Sequence, residues 1–529
     1  MNDDLHPGNG TVAFLLKTLN EAGIKIKCAN SELLIQYPKG SSIDPALLEE
    51  VKRSKDSLLE HFQQYDEGNS IDALLRMPVK ELAYNGSIYY EISPTQVYWL
   101  NENIDREYKL LNKMHGTCML TFEVVGNGFD PAVFEQAVLY LVRRHESLRA
   151  TFHYIGNAWL MKVEEMDLPR YAPVIISMVE QEGAFPDLDD IAGFEGHKFD
   201  LSNGPLFLAR IIRAGAAKYV IAIKVHHVLF DGLSLQILIR DLLQAYYSYA
   251  NNKEVLLPEL KCQYKEFLAL SNRLAEKNRE AHRRFWYGKF PGPPCEFLIP
   301  GVERVNNDMS RKICREEIVE FAPGTIAWMI SLTKQFNVSL FVILQALFNA
   351  LLLYKMDKND VLIGTYVFGR DFAGSEDQIG CYAKTVLMRT VLDRQEPFPG
   401  IVEKVKRANE DTLKYTAFSL RDMLEETAPP EHMKGTCFQN VNLLYADVST
   451  EPDYSRGRLA LGFSMRPLRG KPGVPVTSID LRLFFISYQN TLKVKFQYDE
   501  SLYSAEIIRH FARQYITCAE EIAEQKIFF

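Results

Sequence analysis

Over the first sixty-odd residues the spacing of apolar positions changes repeatedly, and each change predicts an element. Val12-Ala13-Phe14-Leu15-Leu16 with Leu19 has helical spacing and closes at Gly23, a residue suited to helix ends. Ile24-Lys25-Ile26-Lys27-Cys28 then alternates strictly. Ala29-Asn30-Ser31 supplies a turn, and Leu33-Leu34-Ile35-Gln36-Tyr37 returns before Pro38 and Gly40 stop the strand. Asp44-Pro45 makes an N-cap and first-turn pair for a second helix, where Leu47, Leu48, Val51, Leu58 and Leu59 lie near one face up to Phe62. The polar stretch Asp66-Glu67-Gly68-Asn69-Ser70 follows. This predicts a small αββα unit in which Ile24, Ile26 and Cys28 face the helices while Lys25 and Lys27 point outward.

From about Ser87 the pattern mixes helix and strand. Asp130-Pro131 opens an amphipathic helix through Phe134, Ala137, Val138 and Leu141. Ser339 opens a long helix, Leu340 to Tyr354, whose nearly all-round apolar character predicts burial. A charged helical stretch, roughly Phe267 to Arg284, leads into Phe285-Trp286 and the proline-rich Phe290-Pro291-Gly292-Pro293-Pro294. At 529 residues the chain is too long for one simple core. The expected division is therefore a small domain at 1–65, a linker at 66–86, a first lobe at 87–284 and a second at 285–529, an α/β (α+β) fold overall.

Composition narrows the function. Hydrophobic residues are 47% and charged residues 24%, and no apolar run approaches the roughly 20 residues of a membrane span. The acidic Met1-Asn2-Asp3-Asp4 lacks the features of a secretory signal, so a cytoplasmic location is expected. Eight cysteines, scattered from Cys28 to Cys518 with no Cys-x-x-Cys pair, argue against a zinc site and a disulfide framework. A net charge of −8 argues against nucleic acid as a partner, and no glycine-rich loop offers a seat for nucleotide phosphates.

The segment richest in chemistry is Tyr219-Val220-Ile221-Ala222-Ile223-Lys224-Val225-His226-His227-Val228-Leu229-Phe230-Asp231-Gly232. A β-branched strand runs into paired histidines and then into Asp-Gly at the mouth of a helix. An imidazole with an ordinary pKa of about 6.5 can take a proton from an attacking amine or orient its lone pair. Gly232, without a Cβ, permits close approach of a substrate arm. A lone histidine here would read as a satisfied structural residue; the seven-residue pattern favours chemistry.

His226, His227, Asp231 and Gly232 match His-His-x-x-x-Asp-Gly, and here the chain resembles the nonribosomal condensation-domain family. Further segments agree in order: Ser93-Pro94-Thr95-Gln96, Arg144-His145-Glu146-Ser147-Leu148-Arg149-Ala150-Thr151-Phe152, Phe199-Asp200-Leu201-Ser202, Gly204-Pro205-Leu206, Asp360-Val361, Ile363-Gly364, Gly369-Arg370, Ile379-Gly380, Thr385, Arg389 and Phe438-Gln439-Asn440-Val441-Asn442. The likeness covers about Ile92 to Ile522. Two departures are Tyr382-Ala383-Lys384-Thr385 for Phe-Val-Asn-Thr and Tyr415-Thr416-Ala417 for His-Gln-Asp. Tyr89-Tyr90 and Tyr246-Tyr247 read as packing residues.

The resemblance implies a two-lobed pseudo-dimer like chloramphenicol acetyltransferase, with an active-site tunnel between the lobes. It implies transfer of an acyl or peptidyl thioester, carried on the phosphopantetheine arm of a carrier protein, to an amine or hydroxyl, with no bound cofactor and no metal. His227 would be the central catalytic residue, beside His226, Asp231 and Gly232. Asp231 would be structural and paired with Arg149 or Arg370. The N-terminal unit resembles a β-hairpin (tubulysin-type) docking domain, which implies that Lys25, Lys27, Ile24 and Ile26 receive the acidic tail of an upstream acyl or peptidyl carrier protein. A downstream carrier or a small soluble acceptor would take the product. The rivals are a free-standing chain-releasing acyltransferase, an epimerisation domain, a non-catalytic recruitment module and an acetyltransferase using coenzyme A.

Overall fold

A computed structural model describes residues 24–29, 32–36, 45–55, 78–101, 116–166, 176–180, 197–290, 297–303, 313–370, 374–416, 440–447, 463–467 and 479–524, with Leu15, Leu19, Leu58 and Leu59 beside them. In the N-terminal unit, β1 (Lys25–Ala29) and β2 (Glu32–Gln36) pair antiparallel with Ala29 opposite Glu32, so Ala29 belongs to the strand and not to the predicted turn. Together with α1 (Pro45–Arg53) they enclose a small core of Leu15, Leu19, Ile24, Val51 and Leu58, against which Ile26, Leu33, Ile35 and Leu47 pack. Each such side chain taken from water contributes roughly 1.5–3 kcal/mol. The turn residues Asn30 and Ser31, the cap Asp44, the stretch 66–70, the side chains of Lys25, Lys27 and Cys28, and most of the predicted first helix lie outside the described residues.

The next portion begins with β3 (Leu82–Tyr84) and β4 (Ser87–Glu91), followed by α2 (Pro94–Asn101). It continues through β5 (Thr117–Val125), α3 (Pro131–Arg144), β6 (Ala150–Ile155), β7 (Ala158–Val163), β8 (Ile176–Glu180), β9 (Phe207–Gly215) and β10 (Lys218–His226) to α4 (Gly232–Ala250). As expected, Asp130 caps α3, accepting from the Ala132 amide at 2.8 Å with Pro131 in the first turn. The strands β3-β4-β7-β6 form one sheet, and β5, β10, β9 and β8 lie side by side in another. β10 is buried on both faces, which is why it reads as a nearly unbroken apolar run. Tyr219, Ile221, Ile223 and Val225 enter the main core, while Val220 and Ala222 pack with Leu208 and Ile212 on the other face.

A long helix, α5 (Tyr264–Lys289), leads onward. Its first turns join the first core through Tyr264, Phe267 and Leu268, and its end packs against Leu387 through Trp286 and Phe290. The division expected at 284/285 falls inside this helix. The second core lies among β11 (Cys314–Glu320), α6 (Pro323–Phe336), α7 (Leu340–Met356), β12 (Asp360–Val367), β13 (Lys384–Val391), α8 (Phe398–Leu413) and β14 (Val441–Asp447). After β15 (Ser464–Pro467) it is completed by β16 (Leu481–Tyr488), β17 (Thr491–Asp499) and α9 (Ala505–Ala523). The sheet order is β11-β17-β16-β14-β12-β13. α7 is buried almost all round, as its composition requires.

β15 departs from this partition. It pairs antiparallel with β5, Ser464 opposite Val125, and so forms part of the first half's sheet. Among the described residues no single helix is long and apolar enough to cross a membrane; α6 and α7 pass that test only jointly, and they meet at a 108° bend with both in the second core.

Candidate active site

The site is built where β10 ends. Ladder hydrogen bonds carry the strand through His226, and the His227 amide adds one more by donating to Gly116 O at 2.7 Å. His226 and His227 therefore point to opposite sides. His226 is 4% exposed, its Nδ1 accepts from the Val228 amide at 3.2 Å, and burial, with His227 nearby, depresses its pKa to about 3. It is a neutral structural imidazole. Gly116, at φ +92°, lies so close that an added Cβ would stand 3.1 Å from His226 Nε2.

His227 is half-buried and held by residues from two other elements. The indole of Trp99 stacks on its ring, with centroids 4.8 Å apart and planes 12° from parallel. Cys118 Sγ, on β5, lies 3.1 Å from Nε2 and 3.5 Å from Nδ1. Burial, with the Asp231 charge adding, pushes the Cys118 pKa up to about 12, so it remains a neutral thiol. α2 brings Trp99 into place through a reciprocal cap: the Gln96 amide donates to Ser93 Oγ at 3.2 Å and the Ser93 amide to Gln96 Oε1 at 3.1 Å. Gln96 Nε2 then donates to Val228 O at 3.0 Å, tying α2 to the histidine loop.

Asp231 caps α4 and gathers the second half onto the first. Its Oδ1 accepts from the Ser234 amide at 2.8 Å and from Arg370 Nη2 at 3.0 Å, and its Oδ2 from the Tyr382 amide at 3.1 Å. Of the two arginines expected from sequence, Arg370 is the partner. Arg149 turns away to Glu164 O and Glu146. Arg370 also donates to Ser375 O and Gln378 O and lies over the Tyr382 ring, 4.0 Å from its centroid. The Ser234 hydroxyl stands 2.7 Å from Asp231 Oδ1 and 2.9 Å from Gly380 O, sharing its one proton, and accepts from the Gly380 amide at 3.1 Å. The Ser147 hydroxyl donates to Ile379 O at 2.7 Å and the Tyr264 hydroxyl to Cys381 O at 2.8 Å. The residues 375–382 are thereby fastened to the first half.

At Gly232 an added Cβ would meet nothing within 4 Å. Packing does not demand a glycine there. Lys384 donates to Thr416 O at 3.3 Å, and Tyr415 stacks on Phe285 at 4.0 Å. At the N-terminal hairpin, Ile24 is 5% exposed and Ile26 half-buried, both in the unit's own core, while the Lys25 and Lys27 backbones pair with Gln36 and Leu34. Trp99, Cys118 and Gln96 as the fastening of the histidine loop escaped the sequence reading. Only Gln96 carried a signal, the Ser-x-x-Gln capping pattern. Among the described residues no cluster of His, Cys, Asp and Glu could hold a metal ion.

Residues 89–526 match the family model of the condensation domain. Tyrocidine synthase 3 of Brevibacillus parabrevis is 23% identical over 462 residues, and bacitracin synthase 3 of Bacillus licheniformis 24% over 408. These alignments cover 84% and 75% of the chain but only 7% and 6% of those proteins. Among solved structures, the first condensation domain of the calcium-dependent antibiotic synthetase, in complex with a substrate analogue, superposes with a TM-score of 0.62 at 17% identity, covering 83% of this chain and 97% of that one. The epimerization domain from the third module of tyrocidine synthetase B gives 0.64 at 16%, covering 84% and 99%, and the X-domain from teicoplanin biosynthesis 0.69 at 18%, covering 85% and 97%. Matched over most of its length by the family model, the chain belongs to the condensation-domain family of nonribosomal peptide synthetases.

Proposed function

We propose that the chain transfers an acyl or peptidyl group from a thioester on a carrier protein's phosphopantetheine arm to an amine or hydroxyl acceptor, with His227 acting on the nucleophile. The observation that carries this reading is the division of labour within the paired histidines: His226 is buried and neutral, whereas His227 is half-buried and held by Trp99 and Cys118. The nucleophile attacks the thioester carbonyl, a C–N or C–O bond forms, the C–S bond breaks, and the proton lost by the nucleophile passes by way of His227 to the departing thiolate. Gly232 leaves room for the arm. On this reading 87–284 and 285–529 are the two lobes flanking a tunnel, the linker is 66–86, and the protein works in the cytoplasm. The hairpin of the 1–65 unit receives an acidic carrier tail through its strand edge and Lys25 and Lys27.

Intact-mass measurement of a loaded carrier, incubated with the full chain and candidate amines and alcohols, tests the reading. Loss of the acyl mass with appearance of the amide or ester, abolished by His227→Ala, is expected. Deuterium uptake at the donor α-carbon without acceptor would instead establish epimerisation, transfer from soluble acyl-coenzyme A alone would establish a free acetyltransferase, and carrier binding without chemistry would leave a recruitment module.

A further inference from the structure

We infer that Trp99 and Cys118 are positioning residues for His227, the indole face fixing the plane of the imidazole and the thiol at its nitrogen edge fixing its rotation. The inference rests on the functional reading above, but its geometry does not. Gln96 and Trp99 lie three residues apart on α2, hence on the same helical face, and both meet the histidine loop: Gln96 through Val228 O, Trp99 through the ring of His227. α2 is thus fastened to the backbone beside the histidine by the residue one turn before the one that stacks on its side chain. Cys118 approaches from a third element, on the strand position opposite Val225. A residue opposite Val225 shares its face of the sheet, and so does His227, two positions on.

The clamp also reaches the other half of the molecule. The side chain of Trp99 hydrogen-bonds to Cys381, and the Cys381 carbonyl accepts from Tyr264. The indole is therefore located both by α2 and by the 375–382 segment, and the plane it imposes on His227 depends on how the two halves are docked. A side chain with two free torsions would otherwise sample several rotamers at a half-open site, and misplacement of a reacting group by about 1 Å can cost on the order of 10²-fold in rate.

Two measurements on the full-length chain test this. The first needs no substrate: an imidazole stacked on an indole perturbs its emission, so His227→Ala should change tryptophan emission in the wild-type background and leave it unchanged in the Trp99→Phe background. The second is acyl transfer. Trp99→Ala and Cys118→Ala should each lower kcat with little change in KM, and Trp99→Phe, which keeps a stacking ring, should recover most of the Trp99→Ala loss. Identical emission in wild type and His227→Ala would overturn the contact. Wild-type kcat in both alanine variants would overturn the positioning role. If His227→Ala itself transfers at the wild-type rate, the functional reading fails and the catalytic purpose of the clamp with it, while the fluorescence comparison still decides the contact.

Discussion

Asp231 Oδ1 and Arg370 Nη2 stand 3.0 Å apart across the two halves of the chain, with their side chains 3% and 6% exposed. The carboxylate is also the N-cap of α4, so one group both starts the helix behind the histidine loop and anchors the facing segment. Removing it strands a buried guanidinium. Asp231→Ala is expected to cost about 3–5 kcal/mol in chemical denaturation. Arg370→Ala should destabilise comparably, and the double variant should lose less than the sum of the singles. Strict additivity would mean that the pair is not coupled.

Gly380 supplies a second test of the same junction. An added Cβ there would overlap the rings of Tyr264 and Tyr382, both buried. Gly380→Ala should therefore destabilise by about 1–3 kcal/mol and impair transfer by displacing the segment that bears Cys381. A variant with unchanged melting and unchanged rate would show that the segment has slack.

Acid should weaken the fold through His226. Its folded pKa, about 3, lies below the ordinary value of 6.5, so between these values the unfolded chain binds a proton that the folded chain refuses. Stability is then lost as pH falls from 6.5 towards 3, by at most about 1.4 kcal/mol per pH unit from this residue. His226→Asn, which keeps an acceptor for the Val228 amide, should flatten that slope in denaturation curves taken at pH 7, 6 and 5. An unaltered slope would place the acid sensitivity elsewhere, with His145 the first candidate, since burial also lowers its pKa.

The docking reading predicts a salt-dependent effect. Lys25→Glu with Lys27→Glu should weaken binding of an acidic carrier tail in titration calorimetry, and the loss should shrink at high salt. Unchanged affinity in a folded double variant would leave the lysines as protection for an exposed strand edge.

Where partners are close in sequence, the chain is readable. Asp130 capping α3 and the run from His226 to Gly232 are both local, and local spacing is what periodicity and capping rules report. Trp99, Cys118 and the partners of Asp231 were harder. Cys118 meets His227 109 residues away and the Tyr382 amide meets Asp231 151 residues away, and no window of the sequence contains both members of either pair. The arginine opposite Asp231 was narrowed to two candidates within the segments that resemble the family, but choosing between them required the fold. Likewise, the charged helical stretch before Phe285 was legible, yet that α5 runs from the first core through 289 to a separate cluster at Leu387 of β13 was not, because its final turn is held by that distant residue.

β15 has a consequence for how the chain is made. Its strand partner β5 ends at Val125, whereas β15 begins at Ser464. At about 5–20 residues per second, a ribosome needs on the order of tens of seconds to reach Ser464 after finishing β10 at His226. During that interval the outer hydrogen-bonding groups of β5 from Phe122 to Val125 await their partner, so the nascent first half exposes a strand edge of the kind that recruits foreign strands. A ribosome stalled before residue 464 should accordingly carry a chain that is protease-sensitive and chaperone-bound, and release of the finished chain should end both.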